Sequence, residues 1–510
     1  MSDSAPIAPA RASQAGAEAP AAPPSAEVST GPPGDPAAPP RPQRGEELEL
    51  RIDSLAFGGE GVARLGEGGY VVFVAGAIPG DRVRAVVHKR KRSYAHARTL
   101  EILEPSPERI APVAAHPGVP WQVIPYERQL EIKRAQVDEA LRRLGGLEGY
   151  ELQEIVPALA RWRYRNKLEY SFGGGPGSAS ELVCGFHASA GARGVEQVED
   201  CLLASELGNR ARELALRWCR AQGLDAWERS GGARAPAHEH ERTGPAPDGR
   251  ARLRNLVVRE GRRTGRVQVR VVSTDGELEA GALAAALADG LGEALCGVLW
   301  TRSRSLAETT AGGETELVWG EAELPERLGG LELAISAEAF FQTNTEMAEA
   351  LYGVAGEFAA LEGWERVYDL YSGIGTIALT LAPRAGELWG IELSEQAVAD
   401  AIAAAARNGV TGARFFAGDT RLALPELLER AGRPDVVVVD PPRAGLSKKV
   451  VHRIVDACPR RIVYVSCNPT TLAPNAAELA QAGWRLRKVR PVDMFPQTHH
   501  IECVALLERA

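Results

Sequence analysis

The chain has 510 residues, 45% of them hydrophobic and 25% charged, and a formal net charge of -8. This length predicts about three domains, and no apolar run approaches the roughly 18 residues that a membrane-spanning helix needs. The N-terminus has no basic block followed by an apolar one, and the seven cysteines are sparse and lack C-x-x-C spacing. We therefore expect a cytoplasmic protein with reduced thiols, and not an exported, membrane, disulfide-bonded or zinc-binding one.

Residues 1–44 differ in composition from the rest of the chain. They are rich in Ala, Pro and Ser and contain almost no large apolar residue. Because burial could not offset the entropy lost on ordering, we expect a disordered tail. Residues 45–104 then form five short runs between glycine turns: "LELRIDSL", "GEGVARL", "GYVVFVAG", "DRVRAVVHK" and "AHARTLEIL". This spacing predicts a small β-barrel.

Basic residues are clustered in two places, although the net charge is negative. The segment 81–98 of the predicted barrel has a single acid, Asp81, and its basic residues include Lys89, Arg90, Lys91 and Arg92. The second cluster, "RWRYRNKLEY", has a basic residue at every second position: Arg161, Arg163, Arg165 and Lys167. In a strand these four would share one face. Two such clusters, one interleaved with aromatic residues, favour a nucleic-acid partner over a merely solvated surface.

Residues 105–335 contain both helical and strand patterns. Apolar residues near helical spacing predict a helix over 126–146, ended by Gly-Gly. Beyond it, "NLVVRE" and "RVQVRVVS" are typical of strands and "NRARELALRWCRAQG" of a helix, so we predict an α+β module. The stretch 231–252 has Gly, Pro and charged residues without an apolar period, which predicts a mobile loop.

From residue 336 to 510 strands and helices alternate. The predicted strands are "RVYDLYSG", "ELWGIE", "ARFFAGD", "DVVVVDPPR" and "RIVYVSCNP". Continuous apolar strands separated by helices indicate a doubly wound parallel α/β sheet, in which ligands bind beyond the carboxyl ends of the strands.

The first of these strands ends in a glycine motif. Gly373, Gly375 and Ala378 satisfy G-x-G-x-x-G/A, and Glu392 ends the next strand about 20 residues on. The carboxylate there is suited to ribose hydroxyls, and Asp419, ending the third strand, to an adenine contact. The pattern alone does not distinguish NAD from S-adenosylmethionine as the cofactor.

The fourth and fifth strands end in residues that could take part in catalysis. Asp440 precedes two prolines, which makes a rigid edge for a flat pocket. Cys467 lies between a strand and a predicted helix N-terminus. The helix dipole there would lower the pKa of the thiol, and the position would leave the thiol accessible. The alternative is that Cys467 is only a small buried hydrophobic residue. Glu502 interrupts an apolar strand, so burial would raise its pKa towards that of a general base, unless it forms a structural ion pair.

Together, "FFQTN", the glycine turn, "DPPRAGL", "VSCNPTTLA" and "FPQTHHIECVALL" resemble the RNA (uracil-5-)-methyltransferase family that carries an N-terminal TRAM barrel. The resemblance covers roughly 45–510. It implies a TRAM domain at 45–104, a central α+β RNA-binding domain within 105–335 and an S-adenosylmethionine-dependent methyltransferase domain at 336–510. It also implies Cys467 as the nucleophile that attacks uracil C6 and Glu502 as the base. The implied cofactor contacts are Gln342, Tyr371, Gly373, Gly375, Thr376, Glu392, Asp440 and, on the adenine side, Asp419.

The sequence departs from this family in one respect. Many relatives bind an iron–sulfur cluster through three closely spaced cysteines after the barrel and a fourth further on. The matching stretch 109–129 has no cysteine, and only Cys201 could answer the fourth, so we expect neither a cluster nor another metal. The expected partner is structured RNA, ribosomal in preference to transfer RNA, and we expect a monomer.

Four other functions are compatible with parts of the pattern. "DPPR" alone would allow methylation of an exocyclic base nitrogen, and the glycine turn alone a NAD-linked oxidoreductase. A non-catalytic RNA-binding protein would not need Cys467 and Glu502. A two-cysteine cytosine methyltransferase would need Cys503, which strand alternation points away from the face of Glu502.

Overall fold

A computed structural model of the chain describes residues 41–66, 69–175, 178–187, 194–227 and 244–510. Nearly all of the tail expected to be disordered, and much of the loop expected at 231–252, lie outside these ranges. Residues Pro42–Ala510 belong to one compact unit. No helix within the described ranges is long and apolar enough to cross a membrane.

The N-terminal domain is a six-stranded sheet in the order β1-β5-β6-β4-β3-β2. Its strands are β1 Glu47–Arg51, β2 Ser54–Leu55, β3 Gly61–Leu65, β4 Tyr70–Ala75, β5 Arg82–Arg90 and β6 Tyr94–Glu104. The run "LELRIDSL" forms two strands and not one, because the backbone changes partner within it: the Ile52 amide donates to Asp81 and the Asp53 amide to Val62. Alternate residues enclose a small apolar core.

A helix follows where the apolar spacing predicts one. Helix α1 spans Tyr126–Arg143, and its buried residues Val137 and Leu141 belong to the core beneath the C-terminal sheet. The short strand β7, Glu151–Leu152, then pairs with an edge of that same sheet. The connecting segment is therefore packed against the C-terminal domain.

The central domain is a seven-stranded sheet in the order β10-β9-β8-β11-β12-β13-β14, with helices α2 (Glu206–Ala221) and α3 (Ala280–Leu291) contributing to its core. A single-turn helix at Gly292–Ala294 follows α3. Its strands are β8 Lys167–Gly175, β9 Ser178–His187, β10 Val195–Gln197, β11 Leu253–Gly261, β12 Arg266–Ser273, β13 Leu295–Arg302 and β14 Glu314–Gly320. The hairpin β15 (Leu324–Leu328) and β16 (Leu331–Ile335) leads into the C-terminal domain.

The C-terminal domain is an eight-stranded sheet in the order β19-β18-β17-β20-β21-β23-β22-β7. Its remaining strands are β17 Arg366–Leu370, β18 Glu387–Glu392, β19 Ala413–Ala417, β20 Val436–Val439, β21 Arg461–Ser466, β22 Trp484–Val492 and β23 Glu502–Arg509. The helices are α4 Thr345–Ala359, α5 Thr376–Leu381, a single turn at Ala382–Arg384, α6 Glu395–Arg407, α7 Thr420–Ala431, α8 Lys448–Ala457 and α9 Pro469–Gln481. The five predicted strands are parallel, and their order reverses between β17 and β20, where such sheets hold ligands.

The sequence predicts an apolar strand around Glu502, but the alternating pattern does not predict that the last two strands of the sheet are antiparallel. Strand β23 lies between β21 and β22 and runs antiparallel to both. Because β23 is antiparallel to β21, the start of β23 lies beside the end of β21, where Cys503 pairs with Ser466. Glu502 is thereby brought to the same edge of the sheet as Cys467.

Candidate active site

A cavity of about 1280 Å³ opens at the carboxyl edge of the parallel strands and extends to the central domain. Residues from both domains line it. Among those singled out from the sequence, it brings together Cys467, Glu502, Gln342, Tyr371, Gly373, Thr376, Glu392, Asp440 and Arg165. A cavity of this size can accommodate a nucleotide-sized cofactor together with a base.

Cys467 lies where the sequence predicts it, between β21 and α9. Asn468 caps α9 by accepting the Thr470 amide at 3.0 Å, and Pro469 is the first residue of the helix. The side-chain amide of Asn468 also donates to the Arg443 backbone carbonyl at 3.0 Å. One side chain thus begins the helix and ties the Asp-Pro-Pro-Arg loop to Cys467.

The expected lowering of the Cys467 pKa is wrong for this structure. Burial, followed by the carboxylates of Glu502 and Asp440, raises the pKa of Cys467 to about 11, and Arg443 opposes the rise only in part. The amide of Thr470, one of the donors at the helix start, is taken by Asn468 and is not free for a thiolate. The thiol is nevertheless half-exposed and lines the cavity.

Glu502 begins β23 and is 4% exposed. Burial and the neighbouring Asp440 raise its pKa well above the usual range, as the sequence predicts. Burial raises the pKa of Asp440 to about 7. Two carboxyl groups and a thiol therefore face one cavity with all three pKa values raised, a pattern typical of catalytic sites.

The glycine turn after β17 adopts unusual backbone angles. Tyr371, Gly373 and Gly375 have φ angles of 67°, 54° and 79°, and a left-handed tyrosine is a strained residue of the kind found at ligand sites. The Glu392 carboxylate accepts the Gly373 and Ser394 amides at 3.1 and 3.0 Å. Ser372 lines the cavity with a buried hydroxyl that has no hydrogen-bond partner within the described residues. A polar group left unpaired in this cradle fits a nucleoside ligand.

Two further cofactor residues predicted from the resemblance line the same cavity. Gln342 is 6% exposed, and its carbonyl accepts from the Asn166 amide group at 2.8 Å. Thr376 begins α5 and hydrogen-bonds the Tyr352 hydroxyl at 3.1 Å. Tyr352, on α4, is a lining residue that no local sequence pattern marks.

The other two predicted cofactor residues do not line the cavity. Asp419 caps α7 by accepting the Arg421 amide, and its carboxylate is engaged by the Arg421 guanidinium, which lowers its pKa to about 2. Gly375 is not part of the cavity lining, and a side chain at this position would approach Phe415 to 2.9 Å. Gly375 serves close packing of the turn, and the carboxylate of Asp419 is already paired.

The predicted row of basic residues on one strand face is wrong. Residues 161–166 are irregular, Arg163 has a φ angle of 53°, and only Lys167 lies in a strand. Arg161, Arg163 and Lys167 pair with Glu127, Asp200 and Glu169, at 2.9, 2.7 and 2.6 Å.

Arg165 differs from these three. Its guanidinium lies over the Phe495 ring, 5.5 Å from the centroid. Its Nε is buried without a hydrogen-bond partner among the described residues. It is the member of the row that lines the cavity.

The basic cluster of the N-terminal domain is exposed to solvent. Lys89 and Arg90 end β5, and Lys91 and Arg92 form the turn before β6; all four are exposed. None of them forms an ion pair with any residue that the structure describes.

Three more lining residues were missed by the motif analysis: Arg443, Phe495 and His500. Arg443 is the last residue of "DPPR", and the other two lie in "FPQTHH", so each was within a quoted motif but had no assigned role. The His500 Nδ1 lies 3.2 Å from an Arg443 nitrogen. Burial, followed by His499 and nearby arginines, lowers the pKa of His500 to about 3, so this ring is neutral at physiological pH.

Cys201, the cysteine that could answer the fourth cluster ligand, lies beside His116. His116 Nε2 lies 3.3 Å from the Cys201 sulfur, and His116 Nδ1 accepts the Gly118 amide. Within the described residues no group of three or more His, Cys, Asp or Glu could hold a metal ion. The expected lack of a cluster stays a prediction.

Comparison with known protein families identifies two domains. Residues 331–510 match the family described as tRNA (uracil-5-)-methyltransferase, and residues 41–100 match the TRAM domain. The predicted N-terminal TRAM domain and C-terminal methyltransferase fold are therefore confirmed.

Similar proteins cover nearly the whole chain. An uncharacterized RNA methyltransferase of Chlorobaculum tepidum is 35% identical over 492 residues, which is 92% of this chain and 98% of that protein. One of Porphyromonas gingivalis is 37% identical over 90% of this chain and 99% of its own length. A solved structure, the tRNA (uracil-54, C5)-methyltransferase of Pyrococcus abyssi with S-adenosyl-L-homocysteine, is 26% identical over 90% of this chain and 99% of its own, with a TM-score of 0.69.

These matches identify the cofactor as S-adenosylmethionine. With the two domain matches and the two RNA methyltransferase relatives, the chain belongs to the tRNA (uracil-5-)-methyltransferase family as an S-adenosylmethionine-dependent RNA methyltransferase with an N-terminal TRAM domain.

Proposed function

We propose that the protein methylates C5 of a uridine in structured RNA, with Cys467 as the nucleophile and Glu502 as the base. The observation that carries the proposal is the meeting of these two residues at one edge of the sheet. Ser466 of β21 pairs with Cys503 of β23. Cys467 is the residue after Ser466 and Glu502 is the residue before Cys503, and both line the cavity.

The chemistry of uracil explains why a thiol is needed. C5 is a weak nucleophile because the ring carbonyls withdraw electron density. Cys467 loses its proton to solvent and adds to C6, and the electron pair of the C5–C6 bond becomes available at C5. Covalent addition thereby splits one difficult step into two easier ones.

Glu502 completes the cycle. After C5 has accepted the methyl group, the Glu502 carboxylate removes the C5 proton, the C5–C6 double bond re-forms and the Cys467 thiolate leaves. S-adenosylmethionine, when bound, supplies the methyl group on a positively charged sulfonium, and this charge favours the ionised forms of Asp440, Glu502 and Cys467. The raised pKa values of these residues are therefore compatible with their roles.

The position of the site supports extrusion of the target base. Cys467 and Glu502 lie inside a cavity, and a base stacked in a helix cannot bring C6 to the sulfur. Arg165 and Arg443 line the same cavity and supply positive charge for a flipped nucleotide. Methylation of an exocyclic nitrogen would use neither Cys467 nor its pairing with Glu502.

We propose ribosomal RNA as the substrate, with an unpaired or loop uridine as the target. The TRAM domain and its unpaired basic turn support recognition of an RNA larger than the pocket alone would hold. The Pyrococcus abyssi relative is named for transfer RNA, so transfer RNA is the alternative that the assay includes.

The experiment uses purified protein, methyl-labelled S-adenosylmethionine, and separate ribosomal and transfer RNA fractions from cells lacking 5-methyluridine. We expect label in 5-methyluridine of ribosomal RNA, identified by mass spectrometry, and none with Cys467→Ala. Cys503→Ala is the matched control and should keep its activity, because Cys503 lies on the opposite face and hydrogen-bonds the Ser466 carbonyl.

Other outcomes assign other functions. Label in transfer RNA alone would replace the proposed substrate but keep the chemistry. Label in another nucleoside that persists in Cys467→Ala would indicate exocyclic amino methylation. Loss of activity in Cys503→Ala as well would favour a two-cysteine mechanism.

A further inference from the structure

The outward face of the TRAM sheet carries a group of four aromatic rings. Phe73 on β4, His88 on β5, and Tyr94 and His96 on β6 are half-buried. Residues that alternate with them belong to the core: Val72, Val74, Val87, Ala95 and Ala97. We call Phe73, His88, Tyr94 and His96 the aromatic face. Such rings on a sheet are unusual unless they are covered or bind something flat.

Strand register brings the four rings together. Phe73 pairs directly with His96 across β4 and β6. The Phe73 ring is stacked on His96 at 5.4 Å and meets Tyr94 edge-on at 5.6 Å, and His88 lies 6.1 Å from His96. The rings support one another and form a continuous surface.

Positive charge surrounds this surface. Arg64 pairs with Val71 and Arg98 with Ala75 on the flanking rows, and the turn of Lys89, Arg90, Lys91 and Arg92 borders the side of His88. All six basic residues are exposed, and none forms an ion pair within the ranges that the structure describes.

Arg82 and Arg84 of the same domain behave differently: Arg82 bonds to Glu49 and Glu104, and Arg84 to Glu101 and Glu47. Arg44 and Arg51 also lack an ion pair among the described residues, but six of the domain's unpaired cations border the aromatic face. Aromatic rings within a rim of unpaired cations are the chemistry that single-stranded nucleic acid requires: stacking for a base and charge for its phosphates.

The aromatic face is connected to the active site. His96 Nδ1 lies 3.1 Å from the carboxylate of Glu60. The adjacent Gly59 packs so closely on His499 that a side chain there would approach it to 2.9 Å. The His499 ring lies 4.1 Å from that of His500, which lines the cavity. This series of contacts joins the aromatic face to the wall of the cavity.

We propose that the aromatic face stacks one unpaired base of the same RNA strand that presents the target uridine, with the turn of Lys89 to Arg92 holding the adjacent phosphates. This inference rests on the proposed function, because it requires an RNA substrate with its target in the cavity. The TRAM domain then reads a single-stranded segment next to the target, and not only the charge of a duplex.

The test uses Phe73→Leu and Tyr94→Leu in the full-length protein, since leucine preserves apolar packing and removes the flat ring. Trp364→Leu is the matched control, because Trp364 is an exposed aromatic on the catalytic domain and its ring lies against Arg460. The measurements are the Kd of substrate RNA by fluorescence anisotropy, and kcat and KM for methylation. Stacking of one base predicts a rise of roughly tenfold in Kd and in the KM for RNA, with kcat unchanged, and no change in the control.

A second measurement covers variants that fail to fold. RNA carrying 5-iodouridine at successive positions around the target is cross-linked to the wild-type protein, and the modified peptides are sequenced. Cross-links to Phe73 or Tyr94 from one or two positions are expected. Cross-links only outside residues 70–98, or folded variants with unchanged Kd and KM, would overturn the inference.

The two proposals fail separately. If the wild-type protein forms 5-methyluridine but Phe73→Leu and Tyr94→Leu bind RNA as the wild type does, only the aromatic-face inference is lost. If RNA cross-links to Phe73 or Tyr94 but no RNA gains 5-methyluridine, the aromatic face binds RNA and the proposed reaction is wrong.

Discussion

Cys467 experiences two opposing electrostatic influences. The start of α9 favours a thiolate, but burial and the two carboxyl groups of Glu502 and Asp440 disfavour one, and their combined effect is larger. One of these carboxyl groups, that of Glu502, is the base of the proposed reaction. We expect the thiol to be neutral in the free protein and, in the proposed reaction, to become a nucleophile once positive charge enters the cavity.

The raised pKa of Cys467 predicts how its alkylation depends on pH. With a pKa of about 11, the thiolate fraction rises about tenfold for each pH unit between 7 and 9, and so should the rate of modification by iodoacetamide. Asp440→Asn should increase this rate above pH 7, because it removes a negative charge that opposes the thiolate. Peptide mass spectrometry over a pH series measures both effects.

Cys467→Ala provides the blank for the alkylation experiment, and Cys458 is a half-exposed internal reference thiol. A rate at Cys467 that is flat from pH 7 to 9 would mean that the thiolate is already formed in the free protein. In that case the helix start would outweigh the carboxyl groups.

Glu502→Gln should trap the enzyme on its RNA. The amide matches the carboxyl group in shape but cannot take the C5 proton, so Cys467 cannot be eliminated after methyl transfer. We expect a protein–RNA adduct that survives denaturing electrophoresis, and turnover lowered by about 10²- to 10⁴-fold, the usual contribution of a general base.

The adduct of Glu502→Gln must depend on the thiol. The double variant with Cys467→Ala should form none. Wild-type turnover by Glu502→Gln would assign proton removal to another group, and Asp440 would be the next candidate because it lines the same cavity.

At the scale of elements, helix α1 supports the loop that precedes β23. Lys133 and Asp493 are fully buried and bond at 2.6 Å, and Lys133 also donates to the Phe495 carbonyl at 3.0 Å. Gln129 exchanges two hydrogen bonds with Gln497, whose φ angle is 66°. The helix thus holds a strained loop whose residues Phe495 and His500 line the cavity.

Lys133→Met should strongly destabilise the protein. It leaves the Asp493 carboxyl group buried without its cation, which costs about 3–5 kcal/mol in comparable pairs. Chemical denaturation followed by fluorescence should show the loss. Lys133→Met with Asp493→Asn should recover part of it, because no lone charge remains.

An exposed pair on the same helix is the matched control for Lys133→Met. Arg143 pairs with Glu139 in solvent, with side chains 74% and 57% exposed, so Arg143→Ala should change stability by less than about 1 kcal/mol. Equal effects of Arg143→Ala and Lys133→Met would contradict the role given to burial.

At the scale of the whole molecule, the active-site cavity is completed by the central domain. Asn166 bonds the Gln342 carbonyl, and Arg259, 4% exposed, donates to the Ser336 and Ala339 carbonyls at 2.9 Å each. These bonds join the central sheet to the segment that carries Gln342. Arg165, beside Asn166, thereby reaches the cavity.

Arg165→Ala should weaken RNA binding at the catalytic site. Loss of a charge-assisted contact of about 1.5–3 kcal/mol predicts a rise of roughly ten- to 150-fold in the KM for RNA, with the Kd of S-adenosylmethionine unchanged. Arg161→Ala is the matched control, because Arg161 is exposed and paired with Glu127. Equal KM values for the two variants would contradict the assignment.

The whole protein should also lack iron. The stretch 109–129 contains no cysteine, and Cys201 is hydrogen-bonded to His116. Metal analysis of protein purified without oxygen should find no stoichiometric iron, and the protein should be colourless. One cluster equivalent of iron per chain would overturn this expectation.

Local patterns were sufficient for most of the fold. Apolar alternation, glycine turns and the helix start after Cys467 depend on neighbours in the chain, and the elements that they predict are present. The basic row failed because alternation of Arg161, Arg163 and Arg165 was taken to mean a strand. Their partners Glu127 and Asp200 lie far enough away in sequence that no local pattern contains them.

The sequence by itself determined the parallel strands, the residues at their ends and the family, because each depends on residue type at a fixed short spacing. Cys467 with Glu502 as the reacting pair follows from the resemblance to that family and stays a proposal. Only the tertiary structure decided the remaining features. Strand β23 runs antiparallel and brings Glu502 to Cys467, and the carboxyl groups outweigh the helix start in their effect on the pKa of the thiol. Arg165 and not its neighbours faces the cavity, and four rings of the TRAM domain form one surface. These depend on burial and on contacts between distant segments, which chain spacing does not specify.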